Sequence, residues 1–211
     1  MGVPVNSLAS PRFCGVRTFQ RLPHSADCSG NDFAVLGVPF DTATSYRPGC
    51  RFGPAAIRDA SSILKSYHSV LDVDIFEHCQ GVDAGDVDII PGYLDESFER
   101  IEAAVAGVLD AGAVPVIMGG DHSISIPVGR ALEEYGKKIC VIQFDAHLDW
   151  TSHVGPLVQG NGSPMRRMSE MDHIGEMVQI GLRGMGSGKK SDYDDARAYG
   201  SKLISARELH S

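Results

Sequence analysis

A short apolar run that leads directly into carboxylate and imidazole side chains constrains this chain more than any other feature. Ile139–Phe144 is long enough for a strand and apolar at most positions, which is typical of a parallel strand covered on both faces. Asp145, His147 and Asp149 follow at once. Residues two apart on an extended chain point the same way, so we expect these three side chains to project together. They would do so at the carboxyl end of a buried strand, where open α/β sheets bind their ligands.

A second apolar run, at 114–118, ends in a similar way. Gly119 and Gly120 allow a tight turn after it, and Asp121 or Ser123 is suited to cap the helix that follows. His122, between those two candidate caps, is therefore also expected at a strand end that faces the crevice of the sheet.

Four ligand-type side chains on two strand ends predict a metal site. Carboxylate oxygens and imidazole nitrogens together suit a divalent metal of the Mn or Zn type. We therefore predict that His122, Asp145, His147 and Asp149 converge on a common metal position, with ligand distances of about 2.0–2.3 Å. The alternative is that the aspartates are turn residues and the histidines are ordinary polar residues.

Strand-like and helix-like patterns alternate along the chain, which predicts an α/β class with a mainly parallel sheet. Residues 1–31 are irregular, and 32–211 are expected to form one domain. The predicted strands are 33–38, one within 75–86 that ends at Gly85-Asp86, 114–118, 139–144, 177–182 and 202–204, and the predicted helices are 55–64, 94–111 and 124–135.

Composition narrows the function classes. A net charge of −8 argues against nonspecific nucleic-acid binding, which needs a basic surface. No apolar run approaches the length of a membrane span, and the N-terminus lacks the apolar core of a signal peptide. Five cysteines without pair spacing are typical of reduced thiols in a cytoplasmic protein.

The two metal-type motifs resemble those of a known family. The run at 119–123 and the run Phe144–Asp149 are similar to the first two metal motifs of the ureohydrolases, which include arginase and agmatinase. Further stretches at 37–54, 160–167 and 179–184 continue the resemblance, which extends from about residue 15 to the end and is strongest toward agmatinase.

The resemblance implies a fold, a cofactor and a reaction. The fold would be an arginase-like three-layer α/β/α sandwich, and the cofactor a pair of Mn²⁺ ions. By motif, His122 and Asp149 would bind one ion, His147 would bind the other, and Asp145 would bridge them. Water activated by the metal would hydrolyse a linear guanidino compound to urea and an amine. The protein would be a homo-oligomer.

Two departures from the family pattern are visible. The family carries a third metal motif, two aspartates one residue apart, but the last third of this chain has no such pair in the right context. We therefore expect a chain truncated relative to the family, without its last strands and helices. Asn161 stands where relatives carry a histidine that assists binding or proton transfer, and His153 is a candidate substitute.

These departures leave two functions open. One is an active Mn²⁺-dependent amidinohydrolase that acts on agmatine, guanidinobutyrate or another guanidino acid. The other is a noncatalytic relative that binds metal weakly or not at all. The chain alone is expected to be a poor catalyst with an uncovered apolar strand surface. A zinc deacetylase of related architecture is a weaker third possibility.

Other residues near the motifs receive structural interpretations or none. Arg47 and Arg51 flank a Pro-Gly turn, and we favour structural ion pairs or an oligomer contact over a place at the site mouth. Trp150 either walls the pocket or packs behind the ligand loop. Catalytic and substrate-binding residues remain unassigned.

Overall fold

The protein, analysed as a computed structural model that describes residues 2–209, is a mixed α/β structure. The strands are β1 Phe33–Val38, β2 Tyr67–His68, β3 Val73–Asp74, β4 Gly81–Asp86, β5 Val114–Gly119, β6 Ile139–Phe144, β7 Ile174–Leu182 and β8 Lys202–Ser205. The helices are α1 Gly53–Ser61, α2 Leu94–Asp110, α3 Ser125–Ala131, α4 Pro164–Ser169, α5 Lys190–Tyr199 and α6 Ala206–Leu209. Short 3-10 helices lie at Phe19–Arg21, Cys50–Phe52, Ile75–Glu77, His122–Ile124 and Leu132–Tyr135.

The longer strands pair in parallel, as the alternation of strands and helices predicted. One three-stranded sheet has the order β4-β1-β5 and another the order β6-β7-β8, and every pairing within them is parallel. The hairpin of β2 and β3 is antiparallel and was not predicted, because two-residue strands leave no periodic signal. The predicted α/β class with parallel sheets is confirmed.

Residue contacts divide the chain into two compact units. The first comprises the described chain up to Asp41 together with Pro48–Gly120, and the second comprises Thr42–Arg47 together with the described chain from Asp121 onward. The expectation of an irregular segment at 1–31 and one domain at 32–211 stays a prediction. No helix within the described residues is long and apolar enough to cross a membrane.

The first unit is built around β1, which is hydrogen-bonded to a strand on each side and buried along almost its whole length. Helix α2 presents the predicted apolar face, in which Phe98, Ile101, Val105 and Val108 are buried. The turn after β5 requires glycine, because Gly120 has φ +70° and an added Cβ would lie 2.5 Å from the carbonyl oxygen of Val38.

The second unit has its core on one face of β6 and β7. The buried cluster consists of Leu148, Trp150, Met165, Met168, Ile174, Met177, Leu182 and Ala196. Trp150 packs against Tyr199 at the end of α5, with 5.8 Å between the two ring centroids. This contact decides between the two interpretations of the tryptophan: it packs in the core behind the ligand loop.

Strand β6 has the predicted bounds but not the predicted burial on both faces. Its alternate residues Ile139, Val141 and Gln143 turn toward the core, whereas Ile142 is 62% exposed and Phe144 is 79% exposed. The strand is also an edge of its sheet within the described residues. Because β6 has apolar side chains on both faces, the sequence predicted that both faces would be buried. In the structure, the described residues bury only one of them. The expected uncovered apolar strand surface is therefore present.

We expect this face of β6 to drive self-association of the 211-residue chain, because an unpaired edge with exposed large apolar side chains favours pairing with another copy. Ile142→Lys places a charge on that face and should shift the species at micromolar concentration toward monomer in sedimentation velocity. Leu8→Lys adds the same charge at an exposed apolar side chain elsewhere and should leave the distribution unchanged. Equal association of the two variants would contradict this assignment.

Candidate metal centre

The loop after β6 carries three of the predicted ligands, but it is not an extended strand. β6 ends at Phe144, and Asp149 has φ +52°, a left-handed conformation that is uncommon for a residue with a side chain. The fully buried Leu148 anchors the loop, and its backbone N–H donates to the carbonyl oxygen of Ser187 at 3.1 Å. The run Asp145–Asp149 is therefore not the extended strand from which its common side-chain direction was predicted, and that prediction stays open for the three residues together.

Asp121 organises the backbone on the other side of the site. Its Oδ1 accepts from the backbone N–H of Ser123 at 2.8 Å, and its Oδ2 accepts from the backbone N–H of Ala43 at 3.1 Å. Asp121 is thus the N-cap of the 3-10 helix that starts at His122, as the sequence suggested. The Asp121 carboxylate thus accepts from backbone N–H groups and from the Ser123 hydroxyl, while the neighbouring imidazole of His122 faces the candidate ligands.

His122, Asp145 and Asp149 lie together. Each offers a donor atom, and these atoms all lie within 4.8 Å of one another. His122 Nδ1 is 2.7 Å from Asp149 Oδ2 and 3.8 Å from Asp145 Oδ2. Donors at about 2.0–2.3 Å from one ion are at most roughly 4.6 Å apart, so small side-chain shifts would fit all three around a divalent cation.

The electrostatic environment of His122 favours positive charge. Burial by itself lowers the pKa of His122, because a charged imidazole loses hydration. The hydrogen bond to Asp149 and the charges of Asp149, Asp145 and Asp121 outweigh that effect and raise the pKa of His122 above its ordinary value. The same carboxylates that retain a proton there would attract a metal ion.

His147 lies outside the group of three. Its side chain is 64% exposed, and its Nδ1 is 3.2 Å from Asp145 Oδ1. The two oxygens of Asp145 therefore face different imidazoles, with Oδ2 toward His122 and Oδ1 toward His147. Convergence of all four ligands on one ion stays a prediction.

A cavity of about 550 Å³ opens above these residues. Its lining consists of Ala43, Thr44, Ser45, His122, Asp145, His147, Asp149, Thr151, Val154, Leu157, Gly160, Asn161, Gly162, Ser163, Gly186, Ser187 and Gly188. Asn161 ties two parts of the wall together, since its Oδ1 accepts from the N–H of Ser45 and its own N–H donates to the carbonyl oxygen of Ala43, each at 3.1 Å. Asn161 thus holds the segment Thr42–Arg47 against the cavity.

The remaining residues considered from sequence do not line this cavity. Arg51 donates from Nε to Asp41 Oδ1 at 2.7 Å, which is the structural ion pair favoured above. The guanidinium of Arg47 lies 5.1 Å from the ring centroid of Tyr46. His153 is exposed and bonds to Ser152, so it does not take the place of a cavity histidine in the described structure.

Two glutamines that sequence reasoning passed over contact the site from below. Gln143 Nε2 donates to Asp149 Oδ2 at 2.9 Å, and Gln179 Nε2 donates to Gln143 Oε1 at 2.6 Å. The available signal was a polar amide within each of two otherwise largely apolar strands, β6 and β7. A buried polar residue in such a strand needs a partner, and here the partner is a candidate ligand.

Comparison with known proteins gives consistent matches. The sequence profile described as "Arginase family" matches residues 31–211. Proclavaminate amidinohydrolase of Streptomyces clavuligerus is 35% identical over 211 residues, which are 97% of this chain and 66% of that protein. Guanidinobutyrase of Pseudomonas aeruginosa is 35% identical over 97% of this chain and 66% of its own length. Mitochondrial agmatinase of Gallus gallus is 35% identical over 86% of this chain and 54% of its own length.

Solved structures agree with the sequence matches. The structure of proclavaminate amidino hydrolase from Streptomyces clavuligerus superposes with a TM-score of 0.84 at 34% identity, covering 95% of this chain and 66% of that one. Trypanosoma cruzi formiminoglutamase with Mn²⁺ gives a TM-score of 0.76 at 29% identity, covering 85% and 62%. The chain spans about two thirds or less of the length of the curated relatives named above.

We expect Asn161→Ala to loosen one point of the cavity wall. The backbone N–H of Ser45 loses its acceptor, so its amide hydrogen exchange should accelerate, by about tenfold for a lost bond worth about 1.4 kcal/mol. The N–H of Ala43, which is bonded to Asp121 in the same segment, is the internal control and should change much less. Equal acceleration at both amides would indicate that the whole segment had unfolded.

Proposed function

Because this chain belongs to the arginase family, we propose that it carries the site of an agmatinase-type amidinohydrolase, which hydrolyses a linear guanidino compound to urea and an amine. The observation that carries this proposal is the convergence of His122, Asp145 and Asp149 on the cavity. A nitrogen donor beside two carboxylates suits a divalent cation and gives close to charge neutrality with it.

We propose that the cation is Mn²⁺. His122 and Asp149 would hold one ion, with Asp145 beside them. The opposite orientation of the two Asp145 oxygens, one toward His122 and one toward His147, supports a bridging role for Asp145 and a second ion at His147. Trypanosoma cruzi formiminoglutamase, which this chain resembles in fold, is described with Mn²⁺.

The chemistry of the substrate explains the need for a metal. A guanidinium carbon is a poor electrophile because the group is stabilised by resonance. When bound, a divalent ion lowers the pKa of water toward neutrality and thereby supplies a nucleophile. The residues of this chain would hold that ion, and the carboxylates of Asp145 and Asp149 would also favour the approach of a cationic guanidinium.

We propose agmatine, rather than a guanidino acid, as the substrate. Among its described lining residues there is no lysine or arginine, so none of them offers a permanent cation to a substrate carboxylate. Ser45 and Thr151 line the cavity and carry hydroxyl oxygens, which can accept hydrogen bonds from an ammonium tail. Guanidinobutyrate, on which a relative is named, remains the alternative substrate.

One observation favours the second function, a noncatalytic relative with weak metal binding. For a second ion, the described residues of this loop offer only Asp145 and the exposed His147. Two protein ligands compensate a divalent charge poorly, so the second ion would bind with low affinity. We accordingly propose that the 211-residue chain by itself is a poor catalyst.

We also propose a cytoplasmic location and a homo-oligomeric state, with no nucleic-acid or membrane partner. All five cysteines are free, which supports a reducing compartment. The exposed apolar residues Ile142 and Phe144 support association between copies.

We expect Asp149→Ala to weaken Mn²⁺ binding by at least 100-fold, because the change removes a ligand carboxylate and the partner of His122. Isothermal titration calorimetry with Mn²⁺ alone measures the affinity. His153→Ala removes an exposed imidazole outside the cavity lining and should leave the affinity unchanged. Unaltered binding by Asp149→Ala would place the ion elsewhere.

Urea release tests the reaction itself. The wild-type chain is incubated with Mn²⁺ and with agmatine, guanidinobutyrate and arginine in parallel, and the metal content of each sample is measured. We expect slow release with agmatine as the preferred substrate, and none from Asp149→Ala. Metal-loaded protein that releases no urea from any of them would favour the noncatalytic function, and turnover at ordinary enzymatic rates would refute the proposal of a poor catalyst.

A further inference from the structure

We infer that Gln143 and Gln179 are positioning residues, which form a directed chain of hydrogen bonds that presents an N–H donor to Asp149 and so prepares this carboxylate for a metal ion. This inference rests on the proposed metal site. Neither glutamine lines the cavity, so both would act through Asp149 rather than on a substrate.

The two side chains meet because of strand register. Gln143 on β6 and Gln179 on β7 are direct partners in the parallel pairing. Gln143 is 7% exposed and Gln179 is 1% exposed, on the face of the sheet that carries the apolar core. Two uncharged amides buried in such a place cost free energy unless their donors and acceptors are paired.

Their hydrogen bonds form one continuous chain. Ser201 Oγ donates to Gln179 Oε1 at 3.0 Å. Gln179 Nε2 donates to the carbonyl oxygen of Leu148 at 2.7 Å and to Gln143 Oε1 at 2.6 Å. Gln143 Nε2 then donates to Asp149 Oδ2 at 2.9 Å. The chain therefore starts at a hydroxyl group and ends at a candidate ligand.

A backbone carbonyl group sets which amide atoms donate and which accept along this series of hydrogen bonds. The carbonyl oxygen of Leu148 only accepts, so the amide nitrogen of Gln179 must face it. The other hydrogen on that nitrogen then points to Gln143, whose oxygen must face it in turn. The amide nitrogen of Gln143 is left facing Asp149. A reversed Gln143 would place its oxygen against the carboxylate and its nitrogen against the nitrogen of Gln179.

The series of hydrogen bonds holds two successive residues, Leu148 and Asp149, in place. Gln179 holds the backbone of Leu148, and Gln143 holds the side chain of Asp149, where the backbone adopts its left-handed turn. The oxygen that Gln143 binds is also the one 2.7 Å from His122 Nδ1. Partners of metal ligands typically contribute about 10–100-fold to metal affinity, because they orient the ligand before the ion arrives.

Mn²⁺ affinity, measured by calorimetry on the whole chain, tests the inference. Gln143→Met keeps the length of the side chain but removes the donor, and we expect about a tenfold loss of affinity. Gln143→Glu places an acceptor against Asp149 and should lose more. Gln179 contacts neither His122 nor the carboxylates of Asp145 and Asp149, yet Gln179→Met should lower the Mn²⁺ affinity several-fold. Gln159→Met, which removes an amide bonded to Arg130, is the matched control and should bind like wild type.

The double variant separates positioning from general destabilisation. If the two amides act in series, Gln143→Met combined with Gln179→Met should bind Mn²⁺ about as weakly as Gln143→Met alone, although their losses of thermal stability accumulate. Should Gln179→Met fail to fold, Ser201→Ala removes only the hydroxyl group at the start of the chain and should cost a two- to threefold loss.

Several results would overturn the inference. Wild-type affinity in both single glutamine variants would overturn it and leave the proposed metal site intact. Affinity losses that add in the double variant and follow the melting temperature would show a structural role only. Absence of Mn²⁺ binding by the wild-type chain would overturn the metal site and the positioning role together.

Discussion

The candidate site depends on one interaction: the Asp149 carboxylate, buried at a bend of the chain, must be paired there with hydrogen-bond donors. An ionised group removed from water costs several kcal/mol unless it is paired and hydrogen-bonded. His122 supplies the pairing, Gln143 supplies a donor from the strand below, and the buried Leu148 anchors the loop next to it. These requirements explain why an otherwise apolar strand carries a glutamine just before its ligand loop.

The motif residues fall into two groups with different tasks. Asp121 and Asn161 each accept from a backbone N–H group of the segment Thr42–Arg47, which walls the cavity, and thereby hold that segment in place. His122 and Asp145 instead direct donor atoms at one another across the space that a cation would take. A run of polar residues at a strand end thus contains both the scaffold of the site and its chemistry.

The polar and charged groups that line the cavity suit a positively charged ligand. Carboxylates dominate its base, and its described walls carry hydroxyl, amide and apolar groups without lysine or arginine. Such a surface attracts positive charge, which a guanidinium or a divalent ion provides. The exposed apolar face of β6, bearing Ile142 and Phe144, is a separate property, because neither residue lines the cavity.

The local sequence determined the helices and strands and the chemical type of the site. The tertiary structure decided which residues contribute to that site. A short apolar run placed β6 at Ile139–Phe144, and apolar periodicity placed the buried face of α2, because both signals lie within a few residues. The left-handed conformation of Asp149 and the 64% exposure of the His147 side chain could not be read from the alternation of ligand-type residues. Gln143 and Gln179 lie 36 residues apart, and only the register between two strands joins them. No local pattern encodes such a contact, since it depends on how separate segments align.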